Sequence, residues 1–371
     1  MSRNLKVVLI AGARPNFMKL APLVKRIHRY NAESENGARI IDAAIVHTGQ
    51  HYDAQMSQVF FDELGIPAPD YNLEVGSGSH AVQTAEIMKR FEPVCHQARP
   101  DWVVVVGDVN STMACTLVAA KMGIPVAHVE AGLRSFDRAM PEEINRIVTD
   151  SLASLLLTPS PDADENLKRE GVPPSKIRLV GNVMIDSLVA HLEKNGDGAQ
   201  ALDRVGLKKG RFIYVTLHRP SNVDDKKTLG AIVAELSKIS EEWPVIFPIH
   251  PRTRKRMEEF GVSFGPKARV RLMDPIGYSD SVAFTQHARC LLTDSGGLQE
   301  ESTYFRTPCL TLRPNTERPV TISMGSNRLT TAERLRADLE TTLLGPERTG
   351  AIPPLWDGHA AQRIVENLLT S

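Results

Sequence analysis

The sequence predicts an α/β fold of two Rossmann-like, doubly wound domains that face each other across a cleft. Short apolar runs alternate with amphipathic segments along the chain, and the alternation restarts after a stretch rich in Gly, Asp and Lys at residues 195–210. Continuously apolar strands that alternate with helices form parallel sheets covered on both faces. A chain of 371 residues, 42% of them hydrophobic, is large enough for two such cores.

The first domain is predicted to comprise residues 1–181 together with 355–371. Its C-terminal part is an amphipathic segment at residues 359–369, which we expect to return to this domain. Apolar runs predict strands at residues 6–10, 40–46, 102–106, 125–129, 155–158 and 177–180. The intervening segments predict helices at residues 17–29, 54–64, 80–98, 111–121 and 141–152.

The second domain is predicted to comprise residues 182–354, where the same alternation is repeated. Its strands are expected at residues 211–217, 245–249, 270–273, 289–292 and 309–313. Its helices are expected at residues 226–240, 253–260, 279–287 and 298–305.

The charge balance and the cysteines exclude several classes of protein. Lys and Arg together number 44, as do Asp and Glu, so bulk charge favours neither a nucleic-acid nor a membrane partner. The four cysteines lie far apart, which predicts neither a disulfide framework nor a metal site. The apolar run at residues 7–10 is too short for a signal peptide, and no run approaches a membrane span, so a cytoplasmic protein is expected.

The most informative stretch lies at residues 290–301, where an apolar run is followed by small polar residues, two glycines and a helical segment. Backbone N–H groups of Ser295, Gly296 and Gly297 at a helix start would form an anion site. An ordinary turn with Asp294 or Ser295 as the N-cap fits the stretch equally well. The Asp-Ser-Gly-Gly of trypsin-like proteases is rejected, because those proteins are all-β.

Charged side chains follow most of the predicted strands, at the edge where doubly wound sheets bind ligands. Cations and a glycine-rich turn suit a diphosphate, and carboxylates suit acid–base chemistry. Ordinary structural roles stay open: Asp108 could cap a helix, Glu142 could pair with Arg146, and His250 could be a loop residue. Neither a Gly-x-Gly-x-x-Gly turn nor a P-loop motif occurs, so no nicotinamide cofactor is expected.

Several motifs occur in an order that resembles the non-hydrolysing UDP-N-acetylglucosamine 2-epimerases. They lie at residues 12–19 (GARPNFMK), 107–108 (GD), 128–134 (HVEAGLR), 141–146 (PEEINR), 218–219 (HR), 293–297 (TDSGG) and 316–319 (TERP). The resemblance implies a GT-B-like fold, usually as a homodimer. It also implies interconversion of UDP-GlcNAc and UDP-ManNAc through elimination of UDP and its re-addition, with no cofactor and no metal.

The resemblance also implies roles for individual residues. Asp108, Glu130 and Glu142 resemble the acid–base carboxylates, and the resemblance leaves open which is base and which is acid. His218 resembles the catalytic histidine on the phosphate side. The expected substrate contacts are Arg14, Lys19, Arg146, Ser295, Gly296 and Gly297 on the diphosphate, Glu301 on the ribose, and Arg318.

An allosteric nucleotide-sugar pocket known in many bacterial members is matched only in part. Gln50 and His250 fit that pocket, whereas Asp53, His80 and Pro220 depart from its usual residues. The resemblance therefore supports allosteric activation only weakly.

Three alternatives to a UDP-GlcNAc epimerase remain open from the sequence. Residues 47–53, 60–72 and 135–140 also resemble relatives that epimerise UDP-2,3-diacetamido-glucuronic acid. A glycosyltransferase of the same architecture would transfer the sugar without exchanging the C2 proton. A nucleotide-sugar sensor would bind without turnover, although it would have no need of three carboxylates beside a diphosphate.

Overall fold

The computed structural model describes residues 4–12, 14–34, 39–49 and 65–371. The chain divides into two compact units, Met1–Val189 with Pro354–Ser371, and Ala190–Pro353. Each unit contains one parallel sheet with helices along the chain between its strands, which confirms the predicted doubly wound α/β class. The sequence-based boundaries at 181/182 and 354/355 stay a prediction.

Unit 1 contains a seven-stranded sheet in the order β3-β2-β1-β4-β5-β6-β7, and every adjacent pair is parallel. Its strands are β1 (Leu5–Ala11), β2 (Ile41–His47), β3 (Tyr71–Asn72), β4 (Trp102–Val106), β5 (Val126–Val129), β6 (Leu155–Thr158) and β7 (Ile177–Leu179). The central strands are almost wholly buried, as expected for a sheet covered on both faces.

Unit 2 contains a six-stranded parallel sheet in the order β10-β9-β8-β11-β12-β13. Its strands are β8 (Ile213–Thr216), β9 (Val245–Pro248), β10 (Val270–Met273), β11 (Cys290–Thr293), β12 (Cys309–Leu312) and β13 (Asn327–Thr330). Separate hydrophobic clusters cover the two faces of each sheet.

The helices mostly occupy the predicted segments. In unit 1 and at the junction they are Arg14–Glu33, His80–Ala98, Asn110–Lys121, Pro141–Leu152, Pro161–Arg169, the 3₁₀ turn Pro174–Lys176, and Val183–Asn195. In unit 2 they are Gln200–Arg204, Pro220–Val223, Lys226–Ile239, Pro251–Phe260, Tyr278–His287, Gly296–Phe305, Val320–Ser323 and Leu335–Leu344. The last helix, Ala360–Thr370, belongs to unit 1.

Strand β3 and strand β13 were not predicted from the sequence. Strand β3 has two residues, and β13 reads Asn-Arg-Leu-Thr, so neither has the apolar run used to find strands. Both lie at sheet edges, where fewer residues are buried. The helices Pro161–Arg169, Val183–Asn195 and Leu335–Leu344 were also missed, and the predicted helix at 54–64 lies outside the described residues.

The C-terminal helix is fixed to unit 1 by its N-terminus and by its apolar face. Asp186 accepts hydrogen bonds from the N–H groups of Ala360 (3.0 Å) and Ala361 (2.7 Å). Ile364 and Leu368 are fully buried in the cluster on one face of the sheet. In the part of the chain that the structure describes, no helix is long and apolar enough to cross a membrane.

Candidate active site

Both sheets reverse their strand order at one point, where doubly wound proteins bind ligands beyond the carboxyl ends of the strands. In unit 1 this point lies between β1 and β4, and in unit 2 it lies between β8 and β11. Asp108 follows β4 and His218 follows β8, so residues predicted from the motifs lie at these two positions.

In unit 1, the side chains of Lys19 and Glu130 form an ion pair that joins the first helix to the end of β5. Glu130 is buried and has a φ of +70°, which is rare for a residue other than glycine. Non-glycine residues in this conformation cost energy and cluster at functional sites. The predicted acid–base carboxylate and one predicted substrate contact therefore lie side by side.

Gly107 allows these side chains to approach the turn after β4. It has a φ of +66°, and a Cβ atom there would lie 2.9 Å from Lys19 Nζ and 3.3 Å from Glu130 Oε2. Asn16 donates a hydrogen bond to the carbonyl of Val106 at 3.0 Å, which fastens the first helix to the same turn. A larger residue at 107 would separate the groups that the turn brings together.

The Asp108 carboxylate is paired with the buried Arg146 guanidinium. Arg146 also contacts Glu143, with 2.7 Å between Arg146 Nη2 and Glu143 Oε2. Arg146 therefore pairs with Glu143 and Asp108, whereas the spacing had suggested Glu142 as its partner. The helix after Asp108 has Val109 as its N-cap, so the structure does not support the alternative that Asp108 is a cap.

Glu143 holds the loop between β5 and the next helix. Its carboxylate accepts from the backbone N–H groups of Ser135 and Phe136, both at 2.9 Å. Burial acts to raise the pKa of Glu143, but the hydrogen bond from Ser135 and the Arg146 guanidinium bring it below its usual value. The carboxylate therefore stays charged and orders both the loop and Arg146.

Glu142 is exposed in the first turn of the helix Pro141–Leu152, with Pro141 at the helix start. Among the described residues its carboxylate makes no ion pair. Its predicted acid–base role stays a prediction, since it does not join the ion pairs of Asp108 and Glu130.

A buried polar network lies below these turns. His128 Nδ1 lies 2.6 Å from Asp150 Oδ1, and His128 Nε2 donates to the carbonyl of Gly107 at 2.8 Å. Asp150 also accepts from the Gly132 N–H at 3.0 Å and pairs with Arg134 at 2.7 Å. Burial acts to raise the pKa of Asp150, but His128 and Arg134 hold it below its usual value.

In unit 2, the fully buried Asp294 holds His218. Asp294 Oδ1 lies 2.7 Å from His218 Nδ1, and Asp294 Oδ2 accepts from the N–H groups of His218 (2.9 Å) and Arg219 (2.8 Å). Burial acts to raise the pKa of Asp294, but the His218 side chain and these donors bring it below its usual value. Asp294 is therefore a partner of His218, and Ser295 is the N-cap residue.

The turn at residues 295–297 begins the helix Gly296–Phe305, as predicted. The first N–H groups of a helix have no partner within it, so those of Gly296 and Gly297 are available to an anion. The Ser295 N–H, also predicted as an anion donor, instead donates to Thr293 Oγ1 at 3.0 Å. A Cβ atom on Gly297 would meet nothing within 4 Å, whereas one on Gly296 would lie 3.0 Å from Arg318 Nη1. Backbone N–H groups, open space and a guanidinium therefore occur together at this turn.

Arg318 lies between two buried carboxylates. Its Nε donates to Glu300 Oε1 at 2.7 Å, and its Nη1 pairs with Glu317. Glu317 pairs in turn with Arg313, with 2.9 Å between Arg313 Nη2 and Glu317 Oε2. Burial acts to raise the pKa of Glu317, but the two arginines hold it far below its usual value. Arg318 is therefore held rigidly beside Gly296.

Glu301 is buried next to Tyr278, one residue beyond Glu300 on the same helix. Burial raises the pKa of Glu301 to about 8, the Tyr278 hydroxyl acts to lower it, and Glu300 acts to raise it. No cation is paired with Glu301 among the described residues. The predicted ribose carboxylate therefore differs from the other buried acids of the site, which are paired.

The remaining predicted residues are placed as follows. His250 is the exposed N-cap residue of the helix Pro251–Phe260, and its ring centroid lies 5.8 Å from that of His218. Burial and the neighbouring His218 lower the pKa of His250. Arg14 is the first residue of the helix Arg14–Glu33, but its side chain, like Gln50, lies outside the described residues.

The sequence motifs contained several functional candidates that residue-by-residue reasoning did not single out. His128, Arg134 and Glu143 lie inside the matched motifs, and Asp150 lies one turn after Arg146. A histidine in the otherwise apolar strand β5 was the one available signal, because a buried polar group needs a partner. Within the described residues, no group of three or more His, Cys, Asp or Glu side chains could hold a metal ion.

A family model described as UDP-N-acetylglucosamine 2-epimerase matches residues 34–369. A UDP-N-acetylglucosamine 2-epimerase of Methanocaldococcus jannaschii is 40% identical over 371 residues, covering 98% of this chain and 99% of the relative. A UDP-2,3-diacetamido-2,3-dideoxy-D-glucuronate 2-epimerase of Pseudomonas aeruginosa is 40% identical over 369 residues, with the same coverage of each chain.

Solved structures of similar chains agree with this match. The crystal structure of the Methanocaldococcus jannaschii UDP-GlcNAc 2-epimerase in complex with UDP-GlcNAc and UDP has a TM-score of 0.83 at 40% identity, covering 99% of this chain and 100% of that one. The UDP-GlcNAc 2-epimerase of Neisseria meningitidis bound to UDP-GlcNAc has a TM-score of 0.85 at 30% identity, with the same coverage.

Proposed function

The chain belongs to the UDP-N-acetylglucosamine 2-epimerase family, and we propose that it interconverts UDP-GlcNAc and UDP-ManNAc. One observation carries the proposal: two carboxylates, Asp108 and Glu130, end neighbouring strands of one sheet, and each is paired with its own cation. A change of configuration at a carbon needs a proton removed from one face and returned to the other. Two separate carboxylates suit that task.

The reaction begins with elimination. The C2–H bond breaks and its proton passes to a carboxylate of unit 1, a double bond forms between C1 and C2, and the C1–O bond breaks with its electron pair leaving on UDP. The 2-acetamidoglucal is then protonated on the opposite face of C2, and UDP adds back to C1. Asp108 and Glu130 are the proposed base and acid, in an order that stays open, with Glu142 as the third candidate.

The C2 proton is not acidified by a neighbouring carbonyl group, so stabilising the departing UDP matters as much as the base. We assign this task to unit 2, where the turn at residues 295–297 and Arg318 offer N–H groups and positive charge to a diphosphate. His218, held by Asp294, is suited to contact the leaving oxygen. Glu301 would bind the ribose hydroxyls, and Arg14, Lys19 and Arg146 would complete the substrate contacts.

The proposal is tested by incubating UDP-GlcNAc with the protein in deuterated water and following C2 by ¹H NMR. We expect UDP-ManNAc to appear and deuterium to accumulate at C2 of both sugars. Glu130→Gln should abolish the exchange, whereas Glu165→Gln, which changes an exposed carboxylate paired with Lys168, should not. A pure, folded protein that leaves C2 fully protonated would contradict the proposal, and sugar transfer without exchange would indicate a glycosyltransferase.

A second candidate substrate is UDP-2,3-diacetamido-2,3-dideoxy-glucuronate. The Pseudomonas aeruginosa relative named for that sugar is as similar to this chain as the Methanocaldococcus jannaschii epimerase is. The same NMR experiment with both sugars distinguishes the two. Only the true substrate should exchange C2 at a rate that is proportional to enzyme concentration and saturates with substrate concentration.

Two further features belong to the proposal. A homodimer is proposed from the family resemblance, and light scattering on the purified protein would measure its mass in solution. A cytoplasmic location is also part of the proposal. The proposed partners are the UDP-sugar and a second copy of the chain, with no nucleic acid, membrane, cofactor or metal.

A further inference from the structure

We propose that His128 and Asp150 are positioning residues that fix the two acid–base carboxylates of unit 1 through the peptide groups of Gly107 and Gly132. The inference rests on the proposed function, since it names the residues that hold its acid and base in place. Neither residue is expected to touch the substrate, because the side chains of both are buried.

The contacts reach both strand ends that carry the carboxylates. His128 precedes Glu130 by two residues on the same chain segment, and its Nε2 donates to the carbonyl of Gly107, the residue before Asp108. Asp150 accepts from the N–H of Gly132, two residues after Glu130. The His128–Asp150 contact of 2.6 Å therefore joins the turn that carries Asp108 to the turn that carries Glu130.

The turn at Glu130 needs to be held because the backbone of this non-glycine residue is strained. Gly107, Glu130 and Gly132 have φ values of +66°, +70° and +80°. This conformation costs free energy at Glu130 that it would not cost at a glycine, and a residue keeps such a conformation only when its surroundings fix it. Lys19 pairs with the Glu130 side chain, while the hydrogen bonds of the His128 ring and of the Gly132 N–H, on either side of Glu130, constrain its backbone.

The hydrogen-bond directions also fix the protonation of His128. The carbonyl of Gly107 can only accept, so Nε2 carries a proton. Asp150 is ionised and accepts from Gly132 and Arg134 as well, so Nδ1 of His128 also donates. Both ring nitrogens therefore carry protons, which places a buried positive charge below the two turns.

One helix provides both residues that fix the position of Asp108. Arg146 and Asp150 lie one turn apart on the helix Pro141–Leu152, and residues four apart face the same side of a helix. Arg146 binds the carboxylate of Asp108, while Asp150, acting through His128, binds the peptide that precedes it. A shift of this helix would therefore move the acid–base group and its support together.

The test compares His128→Gln and Asp150→Asn with Asp186→Asn as the matched control. Asp186 is also a buried carboxylate of unit 1 that accepts from two backbone N–H groups, but it holds the C-terminal helix. We expect kcat for C2 exchange to fall about 100-fold in the first two variants, the effect of a displacement near 1 Å, with little change in KM. Asp186→Asn should lower the thermal midpoint and leave kcat within about twofold.

Two results from the variants would overturn the inference. One is a folded His128→Gln or Asp150→Asn protein with wild-type kcat, and the other is a loss of kcat that follows the thermal midpoint equally in all three variants. A ¹⁵N–¹H spectrum of histidine-labelled wild type provides an independent reading, because His128 should show protons on both ring nitrogens. A singly protonated His128 ring would contradict this inference whether or not the protein is active. A wild-type protein that is inactive on the sugars tested would count against the proposed function alone.

Discussion

Each unit contains a histidine held by a buried aspartate, and the two pairs differ in what the second ring nitrogen meets. In unit 1, His128 is fully buried and its Nε2 is bound to the carbonyl of Gly107. In unit 2, the His218 side chain is 44% exposed, and among the described residues its Nε2 makes no hydrogen bond. Burial acts to raise the pKa of both aspartates, but both lie below the usual value. His128 and Arg134 stabilise the charged form of Asp150, and His218 with two backbone donors stabilises that of Asp294.

This difference at Nε2 indicates that the His128–Asp150 pair is structural and that the His218–Asp294 pair can take part in the chemistry. A histidine with both nitrogens occupied cannot exchange a proton with a substrate, whereas one with an open nitrogen can donate or accept. The same Asp–His geometry therefore predicts a positioning role in unit 1 and a direct role toward the leaving group in unit 2. Variants of both pairs and of other residues of the site test this distinction.

The largest effect is expected for His218→Gln. Losing a group that acts directly on the leaving oxygen should lower kcat by roughly 10²–10⁴-fold, the usual contribution of a general acid or base. Steady-state epimerisation kinetics would measure it. The smaller loss predicted for His128→Gln is the comparison, and a His218→Gln enzyme that remains more active than His128→Gln would reverse the assignment of the two pairs.

Asp294→Asn should have the next largest effect, about 10²-fold or more in kcat. The amide oxygen can still accept hydrogen bonds, but the amide carries no charge to stabilise a protonated His218. The amide NH₂ group can also face the ring, so the tautomer of His218 with a proton on Nδ1 is no longer enforced. The pH–rate profile should therefore change shape as well as height. An unaltered profile with a proportional loss of folded protein would show that Asp294 serves stability alone.

A pair of glycine substitutions compares the two strand-end turns. Gly297→Ala should fold normally, because a Cβ atom there meets nothing within 4 Å. It should weaken UDP binding about 10- to 100-fold by obstructing one hydrogen bond to a charged group. Calorimetric titration with UDP would measure this loss.

Gly107→Ala should instead lower the stability of the fold. Alanine at a φ of +66° costs about 1–2 kcal/mol in backbone strain, so the free energy of unfolding should fall. Denaturant unfolding of both variants would separate the two effects. If Gly297→Ala destabilised the fold as much as Gly107→Ala, the open space assigned to the anion site would be wrong.

The last prediction concerns Glu301, a buried carboxylate that pairs with no cation among the described residues. Its pKa in the folded protein is about 8, whereas the ordinary value is 4.5. Between these values the folded state keeps a proton that the unfolded chain releases, so the free energy of unfolding falls as the pH rises. The loss is at most about 1.4 kcal/mol per pH unit.

Glu301→Gln removes this dependence. Without nucleotide, the stability of the variant relative to the wild type should increase from pH 5 to pH 8, as measured by urea unfolding across that range. A difference that stays constant with pH would show that Glu301 is ionised in the folded protein, as the two paired aspartates are.

The fold could be predicted from the sequence where the pattern is local. Apolar runs such as residues 102–106 and 155–158 mark buried strands directly, and β4 and β6 have those bounds. Strand β13 could not be found this way, because Asn327 and Arg328 give it no apolar run and its pairing with β12 is a tertiary contact. Short edge strands depend on their neighbours more than on their own composition.

The site could be predicted as a set of residues, but their pairings could not. The rule that ligands bind at strand ends selected Asp108, Glu130 and His218, because those residues follow apolar runs. The partners lie far away in sequence: 111 residues separate Lys19 from Glu130, and 76 separate His218 from Asp294. No local pattern encodes such contacts, so the sequence offers Asp294 only as one of two alternative helix caps and gives no role to Asp150.

The proposal that one unit handles the C2 proton while the other stabilises departing UDP requires the anomeric C–O bond to break during turnover. The most direct measurement uses UDP-GlcNAc labelled with ¹⁸O in the bridge between C1 and the β-phosphate, in deuterated water. The label should scramble into the non-bridging oxygens of the β-phosphate as deuterium enters C2, because released diphosphate can rotate before it adds back. Deuterium at C2 with the ¹⁸O retained in the bridge would contradict the claim.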